Sequence, residues 1–199
     1  MADKGTGAAT VSDVSLDVAG ADSVEAFVVE PRDGKARAGI LFLHWLSEHH
    51  NDRSRAVAEL VAPIGKNIRL AIVGHDFGAM HGTLLAARQP RAKALVVVAA
   101  PPRWADWFLP FWPIAGDPID YRRRLAPFDP TAALPKTKAD LLFQFSRRDF
   151  YLAPMSGREL ASAAGRDAAI EWYQADHAMR SARARAARAT FLRRTLQLD

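Results

Sequence analysis

A chain of 199 residues, 49% hydrophobic and 25% charged, has the length and composition of one globular domain that buries roughly 70% of its unfolded surface. Without a single cysteine it has neither a disulfide framework nor a thiolate metal site, and its longest apolar run, residues 94–102, falls far short of the about 20 residues of a membrane span. The net charge of +5 collects in the last segment, where Arg180, Arg183, Arg185, Arg188, Arg193 and Arg194 alternate with Phe191, Leu192, Leu196 and Leu198; this suits the solvated face of an amphipathic helix better than a nucleic-acid site.

Residues 1–10 are small and polar, with no apolar signal core, and read as a flexible terminus of a cytoplasmic chain. Residues 11–18 alternate apolar and polar, a half-buried strand, and after the turn chemistry of Gly20-Ala21-Asp22 a second strand follows over 24–29, giving a hairpin. Residues 39–43 are uniformly apolar, the mark of a strand buried on both faces. A polar loop then leads to a helix over 53–61. Residues 70–73 form the next buried strand, which gives way to a helix over 77–88. Further strands are predicted over 94–99, 141–145 and 169–172, and helices over 154–164 and 178–196. Strands alternating with helices argue for one α/β domain over 11–199, a mostly parallel sheet with helices on both faces. Between Arg103 and Arg124 the composition shifts to Trp104, Trp107, Phe108, Phe111, Trp112 and Tyr121 among prolines. That density fits a small rigid lid at about 101–135, or else a plain core helix.

The stretch with the most chemical content is Gly74-His75-Asp76-Phe77-Gly78. A strand that reverses into a helix here needs glycine on both sides of the central residue, because the two backbones pass too close for a Cβ. The pattern resembles the nucleophile elbow of the α/β-hydrolase superfamily, in the aspartate form of haloalkane dehalogenases and epoxide hydrolases. The flanking segments 39–45, 143–151 and 173–177 look more like dienelactone-hydrolase-type members. The similarity runs from about Val11 to the end, with one departure. Only about 30 residues separate His44 from Asp76, room for one helix where the family inserts a helix, a strand and another helix. One helix–strand unit is therefore expected to be missing, with the hairpin as a candidate to fill the gap.

The resemblance implies Asp76 as nucleophile, Asp149 as acid and His177 as base, each just after a predicted strand, where open α/β sheets gather their active groups. Asp149 as a helix cap and Asp176 as a rival acid stay open. The backbone N–H groups of Trp45 and Phe77 would form the oxyanion hole. His44, Trp104, Trp107, Tyr121 and Tyr151 would line the substrate pocket, the tryptophans or tyrosines supplying the leaving-group donor that Phe77 lacks. His75 reads as packing, His81 as facing the interior or the helix surface, and adjacent His49 and His50 as a solvated loop rather than a metal pair. No cofactor and no metal are required, and the partner implied is a small apolar substrate, neither nucleic acid nor membrane. A homodimer is left open. Three readings result: hydrolysis of a haloalkane or epoxide through a covalent ester on Asp76, a dienelactone-like ester or lactone hydrolase, or a non-catalytic hydrolase-fold binding protein.

Overall fold

The structure, a computed structural model, describes residues 9–16, 24–43, 69–166 and 168–198. Its strands are β1 (Ala9–Leu16), β2 (Val24–Pro31), β3 (Ala38–Leu43), β4 (Arg69–His75), β5 (Ala92–Val98), β6 (Asp140–Ser146) and β7 (Ala169–Tyr173). Its helices are α1 (Phe77–Arg88), α2 (Trp104–Phe111), α3 (Pro118–Leu125), the single turn α4 (Pro130–Ala133), α5 (Pro154–Ser162) and α6 (Ala182–Leu196). Strands β3 to β7 form one parallel sheet in chain order, while β1 and β2 pair antiparallel as a separate two-stranded sheet.

Sequential parallel order dictates where the helices go. A right-handed crossover repeated in one direction puts every connecting helix on the same face. Accordingly Ile72, Leu95, Val97, Phe143 and Phe145 pack with side chains of α1, α2 and α5 in one apolar cluster. The alternate residues Val73, Val96, Val98 and Leu142 point the other way, into a cluster with Phe191, Leu192 and Leu196 of α6. The period-two alternation thus divides two cores, and Leu95 to Val98, in the central strand, are wholly shielded from solvent. Among the described residues no helix is long and apolar enough to cross a membrane.

The predicted elements hold with shifted ends. β1 begins at Ala9, inside the stretch expected to be a flexible terminus, because its pairing with β2 extends to Ala9 opposite Pro31. β4 continues two residues past the apolar run, through Gly74 and His75, so the chain reverses at Asp76. α6 starts at Ala182 rather than 178: the Ser181 hydroxyl accepts the Ala184 N–H at 3.2 Å and fixes the helix start. The loop this leaves after β7 carries His177. The hairpin does not fill the expected gap, and β3 pairs directly with β4. The helix predicted over 53–61, with His49 and His50, lies outside the described residues. Within segment 101–135, Trp104 and Trp107 are buried in the core while Phe111 and Trp112 are exposed.

Candidate active site

At the carboxyl end of β4 the chain turns within one residue. Asp76 has φ 53° and ψ −118°, outside the regions that L-residues favour, and its N–H is held by the Val98 carbonyl at 2.9 Å. Its own carbonyl accepts from Ala79 and Met80 N–H at 2.9 and 3.1 Å, which opens α1. The crowding expected of this turn is real: a Cβ on Gly74 would lie 2.3 Å from the Ala79 Cα. Strain of this kind is tolerated only where surrounding structure fixes it, and it tends to mark functional positions.

The turn projects Asp76 toward His177, which comes from the loop after β7. His177 Nε2 stands 3.7 Å from Asp76 Oδ2, beyond hydrogen-bond reach but within an ion pair. On its other side, Nδ1–H of the imidazole is shared by the two carboxylate oxygens of Asp149, at 3.0 and 2.9 Å. Asp149 Oδ1 also accepts the N–H groups of Tyr151 and Leu152 at 2.9 and 3.1 Å. It therefore serves as a turn cap and as the partner of His177 together. Asp176, the rival acid, is exposed.

Burial shapes the charges. It pushes the Asp76 carboxyl above the usual carboxylate range, opposed in part by the His177 imidazole and the backbone N–H of Phe77. Burial alone would push His177 down, but the hydrogen bonds and charges of Asp149 and Asp76 overcome it and bring the imidazole up to about 9. Asp76 Oδ1, His177 Nε2 and Trp107 Nε1 are buried polar atoms with no hydrogen-bond partner among the described residues. Natural folds leave few such atoms, and here three of them belong to residues clustered at one place.

Aromatic rings wall that place. Trp107 stacks on His177 with centroids 5.7 Å apart and meets Phe77 edge-on at 5.2 Å. Tyr151 packs edge-on against His177 at 4.9 Å and lies tilted against Trp107 at 5.3 Å. From Trp107 the contacts continue to Phe111 and Trp112, which reach solvent.

Compared with models of protein families the sequence gives no match, and compared with curated proteins it gives none either. Solved structures do match. The chain is similar to the esterase domain of a Rhodothermus marinus protein, with a TM-score of 0.74 and 15% identity over 94% of this chain and 99% of that one. It is similar to an acylaminoacyl peptidase of Pyrococcus horikoshii, with a TM-score of 0.71 and 12% identity over 96% of this chain and 42% of the peptidase. A cold-adapted esterase from an Arctic intertidal metagenomic library gives a TM-score of 0.69 and 12% identity over 98% of this chain and 97% of that one. The chain has the α/β-hydrolase fold.

On this α/β-hydrolase fold, the sequence-derived site divides. Asp76, His177 and Asp149 come together, with Phe77, Trp107 and Tyr151 around them. Trp104 does not join them as a donor: its indole N–H goes to the Phe128 carbonyl at 2.8 Å, and its ring sits in the core against Phe77, His81 and Phe108. Tyr121 of α3 makes its ring contact with Phe108 at 6.4 Å, and Phe108 in turn stands between it and Phe77. His81 is exposed on α1, covered on one side by Trp104. His44 and Trp45 lie outside the described residues. No group of three or more His, Asp or Glu among the described residues is arranged to hold a metal ion. Sequence reasoning gave His75 no more than packing, whereas its ring Nε2 lies 2.8 Å from the His177 carbonyl oxygen.

Proposed function

We propose that this chain is a hydrolase that attacks an sp3 carbon of a small apolar substrate, a haloalkane or an epoxide, with the carboxylate of Asp76. The observation that carries the reading is that Asp76 stands at a strained backbone turn with its carboxylate Oδ2 3.7 Å from His177 Nε2 and its Oδ1 without a hydrogen-bond partner among the described residues. A carboxylate needs no base to attack carbon. Asp76 displaces halide, which leaves with the bonding pair, or opens an epoxide to an alkoxide, and an alkyl ester remains on Asp76. The Trp107 N–H is the donor best placed for the leaving atom, being buried, without a hydrogen-bond partner among the described residues, and on a ring stacked on His177.

Hydrolysis of the ester follows from the charges. While Asp76 is ionised it helps keep His177 protonated. Esterification removes that negative charge, so the imidazole releases its proton more readily and becomes a base at the step that needs one. Water gives a proton to His177 Nε2 as its oxygen adds to the Asp76 carboxyl carbon. The oxyanion is met by the Phe77 N–H, the bond from the carboxyl carbon to the alkoxy oxygen breaks, and the alcohol leaves with the proton that His177 returns. Asp149 holds the ring in the tautomer with a proton on Nδ1.

A second reading, a dienelactone-like ester or lactone hydrolase, draws support from structural neighbours described as esterases. Against it, carboxylate attack on an ester carbonyl gives an anhydride, a less favourable intermediate. The test is mass spectrometry of the His177→Gln protein after incubation with pooled haloalkanes, epoxides and activated esters. A stable alkyl adduct on the Asp76 peptide is expected. Ester turnover that survives Asp76→Ala, with no adduct, would overturn the first reading. Tight apolar-ligand binding without turnover or adduct would leave the non-catalytic one.

A further inference from the structure

His75 is 4% exposed and precedes Asp76 directly. Its Nε2 lies 2.8 Å from the backbone carbonyl oxygen of His177. A carbonyl can only accept, so Nε2 carries a proton and donates it. One end of this bond is the neighbour of the attacking carboxylate, and the other is the main chain of the base.

The sheet order makes such a tie necessary. Strands β5 and β6 separate β4 from β7, and three inter-strand spacings amount to about 14 Å. The loop after β7 must therefore fold back over the ends of β6 and β5 to bring His177 beside Asp76. Its backbone is bent accordingly, with Met179 at φ 50°. Ser146 donates to the Ala175 carbonyl, and Asp149 accepts from the imidazole. Both of those partners follow or end β6, so they fix the loop to the neighbouring strand and set the tilt of the ring. They do not fix how far the ring reaches toward β4. Among the described residues, and apart from the Asp76 pair itself, the polar contact that spans this distance is the one from His75, whose ring lies 5.6 Å from that of His177 and tilted by 47°.

We propose that His75 is a positioning residue: by donating its Nε2–H to the His177 carbonyl it sets the distance between His177 Nε2 and the Asp76 carboxylate. This rests on the reading of Asp76 and His177 as the reacting pair. Among the described residues the charged groups that face the imidazole are Asp149 at the β6 end and Asp76 at the β4 end, with the titratable rings of His75 and Tyr151 packed beside it, so its titration responds to that distance.

The test compares the full-length protein with His75→Phe, which removes the donor, and His75→Gln, whose amide N–H has similar reach. Titrating His177 by imidazole NMR should give a midpoint lowered by about one pH unit in His75→Phe and nearly unchanged in His75→Gln. With a substrate in hand, kcat of His75→Phe should fall by about 10- to 100-fold at a similar KM, and the Gln variant should recover most of it. A folded Phe variant whose His177 midpoint does not move, or a Gln variant as impaired as the Phe one, overturns the proposal. Should the Phe variant not fold, the wild-type 15N spectrum decides, because a bare Nε2 on His75 is incompatible with the role. Titration and tautomer are read without substrate, so a lack of turnover counts against the proposed function alone.

Discussion

Trp104 and Trp107 stand three residues apart on α2, and their indole N–H groups have opposite environments. The first donates to the Phe128 carbonyl at 2.8 Å; the second is buried and has no partner among the described residues. One tryptophan anchors α2 to the segment around Phe128, and the other stacks on His177. The backbone of Trp104 is held as well, its N–H going to Asp129 Oδ1 at 2.9 Å.

Replacing each tryptophan by phenylalanine separates these roles. Trp104→Phe should lower the unfolding free energy by about 1 to 2 kcal/mol through the lost hydrogen bond and volume. Trp107→Phe loses similar volume but no hydrogen bond among the described residues, so it should cost less, about 1 kcal/mol or under, yet slow Asp76 alkylation about 10-fold or more. Urea unfolding and single-turnover adduct formation measure the two. Equal rates of alkylation for wild type and Trp107→Phe would remove Trp107 as the leaving-group donor.

Asp149→Asn keeps the shape of the acid and takes away its charge. Its amide can donate to Nδ1, which would leave His177 in the wrong tautomer for accepting a proton at Nε2. Hydrolysis of the ester should slow by about 10³-fold or more. The alkyl ester on Asp76 should then accumulate in rapid-quench experiments. A variant with unaltered turnover would return the role to Asp176.

Stability should depend on pH through His177. Its folded pKa, about 9, lies above the unfolded value of 6.5. The stabilisation is therefore fully present below pH 6.5 and is lost as the pH rises through about 9, at most about 3 kcal/mol in all. Urea titrations at pH 6, 7.5 and 9 should show this decline in the wild type and a flatter profile in His177→Gln. Parallel profiles for the two proteins would contradict the assignment.

Asp76→Asn should stabilise the protein. Burial raises the Asp76 carboxyl, so at neutral pH its ionised form costs folding energy that an amide of the same shape does not. A gain of about 1 kcal/mol is expected together with loss of alkylation, the exchange of stability for function common at active sites. A destabilised Asn variant would show that the ion pair with His177 outweighs desolvation.

Gly74→Ala places a methyl group 2.3 Å from the Ala79 Cα, a backbone atom with no room to retreat. The turn must open, and a loss of about 3 kcal/mol or more is expected. Differential scanning calorimetry beside the wild type measures it.

Much of this molecule is written locally. The apolar runs of the sheet, the glycines at Asp76 and the helix after them follow from hydrophobic periodicity and from the space a Cβ needs, both properties of adjacent residues. The order Asp76, Asp149, His177 was legible for the same reason: each stands just past a strand, and strand ends converge. What no local pattern contains is the distance across the sheet. Whether the hairpin joins the main sheet, which of two tryptophans three residues apart spends its N–H on a carbonyl, and how a loop crosses two strand ends to meet His75 depend on contacts between segments far apart in the chain. The sequence determined which chemical groups stand at the ends of the strands. The tertiary structure decided which of them touch, because burial and hydrogen-bond partners are settled only when the whole sheet has closed around them.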